Sequence, residues 1–113
     1  MTNWYVYIMT NKPNGVLYIG VTDNIDSRMI EHKTKVFRKS FTAKYNCDKL
    51  IYFEEFENGY KASIRERQMK KWNREWKIKL IEEMNPGWSD LSLNWNNGNL
   101  IYKTIRFPTI KKI

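Results

Sequence analysis

The sequence predicts an α+β fold: a three-stranded antiparallel sheet flanked by helices, followed by an extra C-terminal segment. Three observations predict it. Two β-branched, aromatic-rich segments flank a short turn near the N-terminus. A third such segment, Lys49–Phe56, stands alone later in the chain. Between and after the strands lie stretches with helical periodicity and caps.

Residues 4–10 (WYVYIMT) and 15–22 (GVLYIGVT) read as strands. Asn11-Lys12-Pro13-Asn14 between them reads as a turn. Strand, short loop and strand make an antiparallel hairpin. If the loop is residues 11–14, Tyr7 stands opposite Tyr18 and the two phenols share one face. Asp23 or Asn24 caps a helix running to about Lys35, on which Arg28 and His32 are four apart and share a face. Residues 36–47 read as a polar, basic loop with scattered aromatics, and 49–56 as the third strand. Residues 60–83 are helical with a break near Asn73, and Asn85-Pro86-Gly87 stops the helix. Leu100–Phe107 reads as a short strand or as an arm that orders only on contact.

A chain of 113 residues is one domain's worth, here divided into 1–91 and an extension at 92–113. An apolar fraction of 42% with 15% aromatics excludes a disordered chain, because these side chains carry much of the buriable area. No apolar run is long enough for a membrane span, and residues 1–4 begin no recognisable secretory signal. One cysteine, Cys47, and one histidine, His32, exclude an intrachain disulfide and a Cys/His metal cage. A reducing interior, hence the cytoplasm, is the expected location.

A net charge of +8 is typical of a domain that meets a polyanion, or of one that is merely well solvated. The charge is clustered. Residues 61–79 hold eight basic and two acidic side chains, and residues 28–44 hold six and one. Arg65, Lys70, Lys71, Lys35, Arg38 and Lys39 are the candidate phosphate-contacting residues, against the alternative of a solvated helix face. The interleaved Phe37, Phe41, Tyr45, Trp72 and Trp76 either stack on bases or pack in the core. Glu66 falls at the edge of the stripe formed by Ala62, Met69, Trp72, Trp76 and Leu80 on a straight helix. A carboxylate there is exposed at a rim, paired with an arginine, or bound to a metal.

VYI at 6–8, YIG at 18–20, Arg28 and His32 together resemble the signature of the GIY-YIG nuclease superfamily. Arg65–Trp72 is similar to that family's glutamate helix, and Asn85-Pro86-Gly87-Trp88 to the ending of its small single-domain bacterial members. The first motif reads Val6-Tyr7 without the glycine of the family name. The likeness covers residues 4 to about 91.

It implies an endonuclease that hydrolyses DNA phosphodiesters through a one-metal site. Tyr7, Tyr18, Arg28, His32, Glu66 and, more loosely, Asn85 match the catalytic set, with Gly20 as the motif glycine. Glu66 would hold Mg²⁺ (or Mn²⁺), a hard ion suited to one carboxylate and waters. Arg28 would clamp the phosphate, Tyr7 or Tyr18 would accept the water's proton with Tyr7 favoured, and His32 would hydrogen-bond to a tyrosine or relay its proton. Gly20 is expected to have a steric role. A DNA-repair setting and a protein partner supplying specificity are further expectations. The alternative reading is a nucleic-acid-binding module that keeps the fold without catalysis.

Overall fold

The computed structural model describes residues 3–93. Three strands, β1 (Trp4–Thr10), β2 (Leu17–Thr22) and β3 (Lys49–Phe56), form one antiparallel sheet in the order β2-β1-β3. Helix α1 (Ile25–Thr34) and the single turn α2 (Phe41–Lys44) precede β3; α3 (Gly59–Lys71) and α4 (Arg74–Met84) follow it. The α+β expectation is met. The expected strand at Leu100–Phe107 and nearly all of the extension at 92–113 lie outside the described residues.

The first strand in sequence is the central one in space, which explains its composition. Val6 and Ile8 point to one face, Tyr5, Tyr7 and Met9 to the other, and all five are buried. A strand covered on both faces cannot alternate apolar with polar residues. Ile25 and Met29 of α1 cover the Tyr5/Tyr7/Met9 face, together with Cys47, Leu50 and Phe53. Ala62 and Met69 of α3 and Ile81 of α4 cover the Val6/Ile8 face with Ile19 and Tyr52.

The hairpin register corrects the sequence reading. Tyr7 pairs with Gly20 and Met9 with Tyr18, so Tyr7 and Tyr18 are diagonal neighbours rather than directly opposed. The loop is residues 11–16, two longer than expected. The Gly15 amide donates to the Lys12 carbonyl, Asn14 adopts φ 58°, and the Asn11 side chain accepts from the Val16 amide. A side chain that satisfies the first free amide after the turn holds the strands apart for one more pair of residues. A shift of two in the pairing keeps both phenols on the same face.

Each longer helix begins at an asparagine. Asn24 accepts from Ser27 N, Asn58 from Lys61 N and Asn73 from Trp76 N. The Asn73 cap is why the helical run breaks there: Trp72 and Asn73 are extended and a second helix starts. The straight-helix stripe therefore ends at Lys71, and Trp76 lies largely exposed, touching Trp72 edge-on at 6.0 Å.

After α4 the chain straps the β3 edge. Leu91 N donates to Leu50 O at 2.7 Å, and Asp90 accepts from Leu50 N. Trp88 lies in one core and Leu91 in the other, so the strap reaches around the edge and covers part of its open hydrogen-bonding groups.

Candidate functional site

Tyr7 is fully buried on the face covered by α1. Its hydroxyl lies 2.9 Å from His32 Nε2 and accepts from Arg28 Nε at 3.2 Å. Helix α1 delivers both partners from one face, four residues apart, as the sequence spacing requires. Tyr18 completes the group by ring contact, 6.2 Å from Tyr7 and 5.6 Å from His32 between centroids. The structure thus brings together four of the candidate residues: Tyr7, Tyr18, Arg28 and His32.

Gly20 faces this group, and a Cβ built on it would come within 2.5 Å of the Tyr7 hydroxyl. The motif glycine is needed because the phenol occupies the space a side chain would fill.

Electrostatics give each member a state. Burial pushes the Tyr7 phenol up despite the Arg28 hydrogen bond, so it stays protonated at neutral pH. Desolvation outweighs the neighbouring Arg28 charge. The hydrogen bond to Tyr7 is the leading cause holding the Arg28 guanidinium firmly charged, with Glu31 at 3.1 Å adding to it. His32 is lowered to about 4 by burial first and by Arg28 second, so it is neutral. Its Nε2 can then accept from the Tyr7 hydroxyl, which leaves the proton on Nδ1.

One participant escaped the sequence reading. Thr42 Oγ1 lies 2.8 Å from His32 Nδ1, and Ser40 Oγ lies 3.2 Å from Thr42. Thr42 is buried on α2, a turn capped by Ser40 within the segment read as a loop. With Nδ1–H donating to Thr42 and the Thr42 hydroxyl donating to Ser40, every polar atom has a consistent role. Only the Ser40 capping signal, Ser40-x-x-Ala43 before an aromatic, was available in the sequence, and a four-residue helix has no periodicity to reveal it.

Glu66 stands outside this hydrogen-bonded group. It lies on α3, which covers the opposite face of the sheet and packs against the edge strand β2 as well as β1. Its side chain is 16% exposed and pairs with Lys70 Nζ at 2.9 Å. The rim position expected from the helical wheel holds, with lysine rather than arginine as the partner. No group of three or more His, Cys, Asp or Glu able to hold a metal occurs among the described residues. A lone carboxylate is still compatible with a hydrated Mg²⁺, which keeps most of its waters and takes phosphate oxygens as ligands. A carboxylate donor fits a hard, oxygen-ligated divalent ion.

Two candidates are engaged away from the phenol group. Arg65 is buried. It makes a bidentate pair with Glu54, both bonds 2.8 Å, and its guanidinium lies 5.1 Å from the Trp72 ring centroid. Position 65 falls on the inner face of α3 directly above Glu54 of β3, a relationship no helical wheel contains. Asn85 is buried where the strap meets β3. Its Nδ2 donates to Ile51 O and Ser89 O and its Oδ1 accepts from Ser89 N, pinning the strap to β3. Lys35, Arg38, Lys39 and Lys71 are exposed, so their charges are available to a polyanion; Lys70 is exposed too but paired with Glu66.

The GIY-YIG catalytic domain model matches residues 3–79. A UPF0213 protein of Staphylococcus haemolyticus is 36% identical over 83 residues, 74% of this chain and 99% of that one. A UPF0213 protein of Clostridium perfringens is 40% identical over 77 residues, 68% of this chain and 81% of that one. The solution NMR structure of a UPF0213 protein from Bacillus halodurans aligns with a TM-score of 0.50 at 24% identity, covering 81% of this chain and 97% of that one, a likeness of fold.

Proposed function

The chain belongs to the GIY-YIG family, and from that premise we propose that it is a metal-dependent endonuclease that hydrolyses phosphodiester bonds of DNA. The observation that carries this reading is the Tyr7 hydroxyl held between a neutral His32 nitrogen and the Arg28 guanidinium. A sheet needs no such arrangement for stability; an aromatic pair would serve with less buried polarity.

The chemistry follows from the states of these groups. A water approaching phosphorus passes a proton to the Tyr7 oxygen as the Tyr7 proton moves to His32 Nε2. Tyr7 never has to exist as a free phenolate, which its burial disfavours. Thr42 holds His32 in the tautomer whose Nε2 is open. Arg28, already fixed by Tyr7 and Glu31, turns its remaining N–H donors to the phosphate and its developing charge. Tyr18 packs beside both rings and orients the water or the phosphate. Glu66 would hold the Mg²⁺ (or Mn²⁺), which when bound supplies Lewis-acid stabilisation of the departing 3′-oxygen. Lys35, Arg38, Lys39, Lys70 and Lys71 bind the backbone phosphates without reading sequence.

The second reading, a nucleic-acid-binding module without catalysis, is favoured by one observation: Glu66 is engaged with Lys70 and outside the phenol group. Cleavage of plasmid and single-stranded DNA with Mg²⁺, with and without EDTA, separates the two. The nuclease reading expects metal-dependent strand breaks that vanish in both Tyr7→Phe and Glu66→Ala. Salt-sensitive binding with no breaks in any condition assigns the module instead.

A further inference from the structure

The turn α2 has two sides. Thr42 points inward to His32 and is buried. Phe41 and Tyr45, four residues apart, stand on the outside with 44% and 43% of their surface exposed. Their rings are 4.7 Å apart between centroids. Phe41 also stacks on Tyr18 at 5.9 Å with an interplanar angle of 27°, and Tyr18 in turn touches His32 at 5.6 Å. An aromatic row therefore runs unbroken from the Tyr7–His32 pair out to solvent. Rings placed to fill a core would be covered; these two are not.

The surroundings are cationic. Lys44 Nζ lies 5.6 Å over the Tyr45 ring, and the exposed Lys35, Arg38 and Lys39 precede α2 in the chain. Glu31 is the single carboxylate from Arg28 to Lys44, and it is held by Arg28. Flat apolar rings rimmed by positive charge complement a nucleobase attached to a phosphodiester.

We propose that Phe41 and Tyr45 form a stacking subsite for one unstacked nucleobase next to the phosphate at the Tyr7–Arg28 group. This rests on the nuclease reading for the position of the phosphate, though not for the existence of the subsite. The same base could come from a single strand or be turned out of a duplex, so both are tested. Stacking on an aromatic is worth about 1–3 kcal/mol per base, roughly 5- to 150-fold in affinity.

The test is equilibrium binding in EDTA, where no cleavage occurs, using a fluorescently labelled single strand, the same strand carrying one abasic site moved along its length, and a blunt duplex. The double variant Phe41→Leu/Tyr45→Leu is expected to bind the intact strand about tenfold more weakly with an unchanged salt slope. One abasic position is expected to weaken wild-type binding by a similar factor and to have no effect on the variant. Phe41→Trp, which keeps a stacking face, is expected to retain wild-type affinity, so loss in the leucine pair is not misfolding. An equal loss for the blunt duplex assigns a turned-out base; a loss confined to the single strand assigns the unpaired one. Equal affinities of wild type and the leucine variant, or abasic effects identical in the two proteins, would overturn the subsite. So would self-association abolished by the leucine pair without any change in DNA binding. Absence of cleavage with Mg²⁺ beside an intact abasic signature would reject the nuclease reading alone.

Discussion

The Tyr7 hydroxyl lies 2.9 Å from Nε2 of His32, 25 residues away along the chain and buried with it. Both polar atoms are removed from water, and each satisfies the other. The central strand and the first helix are thereby joined by a buried hydrogen bond as well as by packing.

Tyr7→Phe keeps the ring and removes that hydrogen bond. Strand-cleavage turnover is expected to fall by about 10²–10⁴-fold, the usual contribution of a positioned proton-transfer group. Stability should change by no more than about 1–3 kcal/mol, from the unpaired His32 and Arg28 atoms. Single-turnover cleavage alongside chemical denaturation checks both. A loss of DNA affinity as large as the loss of turnover would make Tyr7 a binding residue.

Gly20→Ala places a methyl against the Tyr7 hydroxyl, within 2.5 Å before relaxation. Either the phenol or the strand must shift. Cleavage is expected to drop at least tenfold with retained DNA affinity, because a small misplacement of a reacting group is enough to cost such a factor. NMR shifts of the His32 ring and Arg28 Nε–H, compared with wild type, report whether the phenol moved.

The pH dependence of stability follows from His32. It titrates near 4 in the folded chain, against about 6.5 when exposed. Between those values the unfolded chain binds a proton that the folded one refuses. Stability is thus fully present above about pH 6.5 and falls as pH drops toward 4, by on the order of 3 kcal/mol. His32→Gln should flatten this window. Asp90, held low by Lys33 and Ser92 against its burial, acts only at more acidic pH. Melting temperatures from pH 7 to 4 test the difference.

Arg65→Ala strands Glu54 in the core beside Tyr52. Breaking a buried pair on one side destabilises by about 3–5 kcal/mol. DNA affinity of the folded fraction should be unchanged, whereas Lys70→Glu/Lys71→Glu should weaken binding and flatten its salt slope without comparable loss of stability. Urea titration and salt-dependent binding of both variants separate a structural arginine from surface lysines.

Local chemistry determined much of this protein. β-branched and aromatic runs specified the strands, asparagine caps placed the helices, and the spacing of Arg28 and His32 put both on one face. The shared face of Tyr7 and Tyr18 survived the register correction because strand orientation depends only on parity. Tertiary structure decided the rest. That β1 is central, that Arg65 meets Glu54, and that Asn85 braces β3 all depend on contacts between residues distant in the chain. Thr42 reaches His32 only because a four-residue turn is folded back over α1. Periodicity records which way a side chain points from its own element; it holds no information about which element comes to meet it.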